Sequence, residues 1–132
     1  MKNKFGFFIG LAVLLQACSE PEKVEVGNKT SMEVNLVFDA GDVVRGEVID
    51  AKFVVKNTGD FPLVLGDVKG SCSCTVAEKP EEPIAPGETG VVKAHVTTQA
   101  ASAGVLAKVV NIIANTEPSR TEVVIRANVL DK

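Results

Sequence analysis

The side chains with the richest chemistry in this 132-residue sequence are Cys72 and Cys74, two positions apart in Ser71-Cys72-Ser73-Cys74-Thr75. On an extended strand, positions i and i+2 project to the same side. The two thiols then share a face with Val68, Gly70 and Val76, while Ser71, Ser73 and Thr75 line the other. Three readings are open. Two small hydrophobes buried on an apolar face need no chemistry at all. A disulfide is the second reading: Cα atoms two apart in a strand lie about 6.5–7 Å from each other, at the upper edge of disulfide geometry, so closure requires a bend. The third is a soft-metal site, because two thiolates on one side are ligands for Cu(I) or for part of a zinc site. A closed zinc site takes four ligands. His95 is the single histidine, and it alternates out of phase with Val92, Ala94 and Val96, so it is expected to face solvent, away from the thiols.

Catalytic constellations are otherwise sparse. There is no Gly-x-Ser-x-Gly, no His-Glu-x-x-His, no glycine-rich phosphate loop and no second histidine for a proton relay. Asp39, Asp42, Glu81, Glu82 and Glu88 fall where turns are expected and read as solvated loop charges. The sequence is therefore read as a non-enzyme without a cofactor. Fourteen Lys and Arg against seventeen Asp and Glu give a net charge of −3, which offers no basic face for nucleic acid.

The third cysteine has a different setting. A basic head, Met1-Lys2-Asn3-Lys4, precedes an apolar run from Phe5 to Leu15, too short to span a bilayer but of signal-peptide dimensions. The run ends in Leu15-Gln16-Ala17-Cys18, which resembles a lipoprotein lipobox. Residues 1–17 are then a cleaved signal, and Cys18 carries diacylglycerol and the new N-terminus. Several acyl chains hold a protein durably on a bilayer. Ser19 behind Cys18 is compatible with sorting to the outer membrane, and the compartment is an oxidising one. Without the two signal lysines the net charge becomes −5.

The elements that must position the pair follow from composition. Residues 18–31, the lipidated cysteine and a charged stretch poor in large apolar side chains, read as a flexible tether. Beyond Cys18 the chain holds 21 Val but five Leu, a bias toward strands. Period-2 alternation predicts seven of them. The first places Met32, Val34, Leu36 and Phe38 on one face; the second does so with Ile49, Ala51, Phe53 and Val55. Leu63 and Leu65 follow a turn signal, Asn57-Thr58-Gly59-Asp60, as a hairpin partner, and a fourth strand alternates from Val68 to Val76. Pro86-Gly87 marks a type II turn. Strands around Val92–Val96, Leu106–Ile113 and Val123–Val129 complete the set, with residues 99–104 as a loop. The expected architecture is an all-β, immunoglobulin-like sandwich over residues 32–132. Open sandwich edges can take a strand from an envelope protein partner.

Four phrases occur in order: Phe53-x-x-x-Asn57-Thr58-Gly59-x-x-Pro62-Leu63, Ser71-Cys72-x-Cys74-Thr75, Pro83-Ile84-x-Pro86-Gly87-Glu88-x-Gly90, and Gly104-x-x-x-Lys108 running on to Asn115. In these the chain resembles bacterial domain-of-unknown-function family 1573, over about Val37 to Leu130. The resemblance implies an exported, often lipidated protein with a sandwich similar to the immunoglobulin-like modules of the abnormal-spindle and hydin group. It implies no activity. Ser73 stands where that family usually has Gly between the cysteines, and Ala127 where its last strand usually has Gly. The functional expectation is a membrane-anchored envelope lipoprotein presenting a binding or structural module. The alternative is a thiol-redox or Cu(I)-handling protein.

Overall fold

The computed structural model describes residues 27–132. The expected signal over residues 1–17, the lipid attachment at Cys18 and most of the tether lie outside the described residues. Eight strands form two four-stranded sheets. The first sheet has β1 (Met32–Val34), β3 (Val48–Asn57), β6 (Thr89–Thr97) and β5 (Thr75–Glu78) in that spatial order, all antiparallel. The second has β2 (Val37–Val44), β8 (Arg120–Leu130), β7 (Gly104–Ala114) and β4 (Leu65–Gly70), with β2 parallel to β8. The architecture is all-β, as the valine-rich alternation predicts. Among the described residues no helix is long and apolar enough to cross a membrane.

The core lies between the sheets, and the alternation that predicted it is visible residue by residue. In β3, Ile49, Ala51, Phe53 and Val55 are buried while Asp50, Lys52, Val54 and Lys56 are exposed. Val92, Ala94 and Val96 of β6 meet them across the ladder, and Val110, Ile112, Val123, Ile125 and Val129 close the core from the second sheet. Phe53 is edge-on to Phe38, with ring centroids 6.2 Å apart, a favoured aromatic geometry. Ala127, at the position where the family usually has Gly, is buried in this core, so its methyl adds packing. The Pro86-Gly87 turn forms as expected, with Glu88 N–H donating to Ala85 O at 3.0 Å and Gly87 at φ 80°.

Several expectations need correction. The single first strand is two: β1 pairs with β3, and after Asn35-Leu36 the chain changes sheets to pair with β8 as β2, leaving Leu36 exposed. Asp39 and Asp42 lie in β2, not in a turn. They flank a bulge at which Gly41 (φ 67°) donates its N–H to Asp39 Oδ1 at 2.8 Å. Asn57 to Leu65 is no hairpin: β3 and β4 belong to different sheets, and Leu63 bridges Ile84 instead. The strand expected from Val68 to Val76 is broken at residues 71–74, where the chain passes from β4 to β5 and from one sheet to the other.

The last residues of the expected tether are held by the sandwich. Thr30 N–H donates to Asn115 O at 2.9 Å, and Thr58 N–H donates to Ser31 O at 2.9 Å. Asn115 Nδ2 donates to Asn28 O, and Lys29 pairs with Glu117. These residues bury little apolar surface, which is why a hydrophobic pattern does not include them in the domain.

Candidate functional site

Residues 71–74 are pinned to both sheets. Ser71 N–H donates to Val109 O of β7 at 2.8 Å, and Thr97 N–H of β6 donates to Cys74 O at 3.0 Å. Thr75 N–H donates to Cys72 O at 3.1 Å and closes the turn. Gly70 permits the reversal by close approach: a Cβ there would lie 2.5 Å from Thr75 Cβ and 2.7 Å from Thr75 O. The bend brings the Cα atoms of Cys72 and Cys74 to 5.3 Å, and their sulfurs form a disulfide.

This geometry replaces the extended strand of the sequence reading and inverts its phase. Thr75 is buried, Val76 is 59% exposed, and both cysteines are half-buried at the surface. They are therefore not members of an apolar core face. Ser73, where the family usually has Gly, is exposed at the tip of the turn.

Two further side chains approach the disulfide. The buried Thr75 hydroxyl stands 3.6 Å from Cys72 Sγ and 3.7 Å from Cys74 Sγ. Disulfide sulfurs carry no proton, so the hydroxyl is the donor to one or the other. Beside Cys74 is a cavity of about 130 Å³, lined also by Thr97, Ala100, Ala101, Leu106 and Lys108. Lys108 lies on β7 in phase with Leu106, Val110 and Ile112, the core-facing positions. It is half-buried and has no ion-pair partner among the described residues. Sequence reading named Thr75 and Lys108 within the phrases that carry the family resemblance and gave neither a role. The available signal was a lysine at a core-facing position of an otherwise apolar strand.

His95 is elsewhere, on the outer face of the first sheet, as its parity predicts. Its Nδ1 lies 2.5 Å from Oδ1 of Asp50, its cross-strand partner. Among the described residues, no three His, Cys, Asp or Glu side chains come together as a metal-binding group. The carboxylates of Asp39, Asp42, Glu81, Glu82 and Glu88 are all exposed, and Asp42 accepts a hydrogen bond from Asn128.

The end of the sandwich where the chain arrives is organised by two asparagines. Asn57 is wholly buried, and its Nδ2 donates to Phe61 O at 2.7 Å and Ile84 O at 2.8 Å. Its Oδ1 accepts from Thr30 Oγ1 and Gly59 N–H. Asn115 Oδ1 accepts from Val64 N–H, and its Nδ2 donates to Pro62 O as well as Asn28 O. Thr97, which holds Cys74, pairs with Val48 at the other end of β3. Nine residue steps separate Val48 from Asn57, about 30 Å at roughly 3.3 Å per residue. The arriving chain and the disulfide turn are thus near opposite ends of the first sheet.

Two four-stranded sheets packed around one core define an immunoglobulin-like β-sandwich fold. Within that fold class the chain belongs to the family described as "Protein of unknown function (DUF1573)", which it matches over residues 32–129. A protein of unknown function from Porphyromonas gingivalis W83 is similar at 25% identity and a TM-score of 0.67, covering 76% of this chain and 47% of that one. The secreted serine protease VesC of Vibrio cholerae is similar in fold at 14% identity and TM-score 0.59, over 77% of this chain and 24% of its own. The human CEP192 ASH/PapD-like domain (PapD-like domain 7) matches at 12% identity and TM-score 0.56, over 95% and 99% of the two chains. The chain spans about half of the Porphyromonas protein and a quarter of VesC, and the two likenesses below 25% identity show the fold alone. No curated protein matches the sequence.

Proposed function

We propose that the protein is a lipid-anchored module of the cell envelope, held through acylated Cys18, that presents its sandwich to a protein partner at the outer membrane. The observation that carries this reading is the polarity of the domain. The chain arrives at the Asn57 and Asn115 end, and the other end of β3 lies about 30 Å farther on. A tether of the length of residues 18–27 lets that far end stand clear of a bilayer surface.

Contact with a partner by strand addition is restricted to short stretches. Strand β1 has three residues, and β2 and β4 carry register shifts, devices that limit open-ended pairing. Strand β5 is four residues long, pairs without a shift, and exposes Val76 beside an edge that no other strand pairs among the described residues. A short extended segment of an envelope protein fits that edge, with main-chain hydrogen bonds for affinity and an apolar contact at Val76.

The test is fractionation of cells producing the wild type and Cys18→Ala. The wild type is expected with the membranes and the variant in the soluble fraction; a variant that stays on the membrane overturns the anchor. A photo-crosslinking side chain placed at Val76 should give a discrete protein adduct that the same group at Glu33 does not.

A further inference from the structure

The Cys72–Cys74 bond is poorly suited to a purely structural part. A bridge that closes three residues removes little freedom from the unfolded chain, about 1.6 kcal/mol on the loop-entropy relation against about 3 kcal/mol for a fifteen-residue loop. The turn it closes is already fastened to both sheets through Ser71, Cys74 and Thr75 backbone groups. Yet two groups beside the bond are of a kind that stabilises an anion, the Thr75 hydroxyl and Lys108 in the cavity that Cys74 lines. The cavity beside Cys74 contains one cation, Lys108, and no carboxylate lines it. Placing a lysine at a core-facing position of β7 costs desolvation, and among the described residues no acidic side chain offsets it through an ion pair. The Thr75 hydroxyl, buried within reach of both sulfurs, is a second donor.

We propose that Cys72 and Cys74 form an exchange site for a protein dithiol, with Lys108 as the positioning residue that stabilises the Cys74 thiolate. A thiolate of the partner attacks Cys72 Sγ. The Cys72–Cys74 bond breaks, its electron pair goes to Cys74 Sγ, and a mixed disulfide joins the partner to Cys72. The Cys74 thiolate is received by the Lys108 ammonium and the Thr75 hydroxyl. The partner's second thiolate then attacks the partner sulfur of the mixed disulfide, releases Cys72 as a thiolate that takes a proton, and leaves the partner oxidised. Two electrons pass from the partner dithiol to this protein; of the dithiol's two protons one ends on Cys72 and the other goes to solvent, while Cys74 stays a thiolate. The half-buried position of the cysteines, with exposed Ser71 and Ser73 on either side of Cys72, leaves the turn open to a second protein. This site does not depend on the lipid anchor.

The test is the redox equilibrium of the purified protein with dithiothreitol as the probe dithiol, read by alkylation and intact mass. The wild type is expected to interconvert reversibly between a disulfide and a folded dithiol. Removing the cation in Lys108→Gln should shift the equilibrium toward the disulfide by about three- to tenfold, tenfold being roughly 30 mV for a two-electron couple. Lys108→Arg should stay within about twofold of the wild type, because it keeps the charge. Lys52→Gln, which removes a cation on the outer face of the first sheet, should leave the equilibrium unchanged. Thermal melting of each oxidised variant separates a lost fold from a lost charge, and Lys108→Met replaces Lys108→Gln if the latter melts early. An equilibrium that ignores both neutral substitutions overturns the proposal. So does an isolated protein with two free thiols, or one in which the pair retains stoichiometric copper and does not exchange with the probe.

Discussion

Thr30 Oγ1 donates a 2.9 Å hydrogen bond to Oδ1 of the buried Asn57, and this contact ties the arriving chain to the C-terminal end of β3. The same asparagine holds the loop after β3 through Phe61 O and the 80–88 segment through Ile84 O, while its backbone N–H donates to Glu88 O. One side chain thus joins three separate stretches at the end of the sandwich. Asn57→Ala leaves two carbonyls without that donor. It should destabilise the domain by about 1–3 kcal/mol, because Phe61 O and Gly59 N–H lose a partner while Ile84 O keeps the Leu63 N–H. Urea unfolding measures the loss, and proteolysis should rise at residues 28–31 in the same variant.

Gly70 and Thr75 make a second such relationship, across the disulfide turn. Gly70→Ala places a methyl 2.5 Å from Thr75 Cβ and 2.7 Å from a backbone oxygen, so β4 and β5 must separate. A cost of about 1–3 kcal/mol is expected, in the range of overpacked sites. The Thr75 hydroxyl would also move from the sulfurs, so the variant should show a changed redox equilibrium besides a lower midpoint of unfolding.

What the sequence reveals and conceals here follows from which face each contact involves. Strands β3, β6 and β8 are legible because each has one buried and one solvated face, and period 2 reports that directly. The change of sheet at Asn35-Leu36 is not legible: β1 and β2 turn their apolar side chains to the same core, so the alternation runs across the break. The cysteine turn misleads in another way, because Ser-Cys-Ser-Cys alternates like a strand while its backbone reverses. Thr75 rather than Val76 is buried as a result. Segment 28–31 docks through hydrogen bonds, which hydropathy does not register. The approach of Lys108 to Cys74 joins residues 34 positions apart and has no local signature beyond the misplaced charge.

Glu117 gives a prediction about acid. The hydrogen bond from Lys29, and then its positive charge, hold the Glu117 carboxyl below the usual carboxylate range. A carboxylate with a depressed folded-state value contributes stability that is present above its unfolded value and lost as pH falls through the folded one. The Lys29 contact should therefore loosen only in acid, below the range where free glutamate titrates. A carbon-detected NMR titration of Glu117 should show the low value in the wild type and an ordinary one in Lys29→Met. The pair is exposed, which makes this a local effect, screened by salt, with little change in global stability.

The buried aromatic of β3 tests the core itself. Phe53 is about 1% exposed and contacts Phe38 across the two sheets, at the only aromatic pair among the described residues. Phe53→Ala should cost about 3–5 kcal/mol, the range for buried aromatics, whereas Phe61→Ala, at a half-exposed loop position, should cost far less. Ala127→Gly, toward the residue usual in the family, should lower stability by about 1–2 kcal/mol through a lost methyl and a freer unfolded backbone.

The last prediction separates a staple from an exchangeable bond. If the disulfide served to hold the sandwich together, reduction would unfold it. The packing says otherwise: the core comprises side chains from both sheets and includes neither cysteine, and the backbone hydrogen bonds that fasten the turn to Val109 and Thr97 do not run through the sulfurs. Only the three-residue loop entropy is lost, about 1.6 kcal/mol. Reduced protein and Cys72→Ser/Cys74→Ser should both remain folded at 25 °C, with near-native far-ultraviolet circular dichroism and a urea midpoint lowered by a corresponding, small amount. A loss of more than about 4 kcal/mol would exceed what loop closure supplies and would assign the bond to structure rather than to exchange.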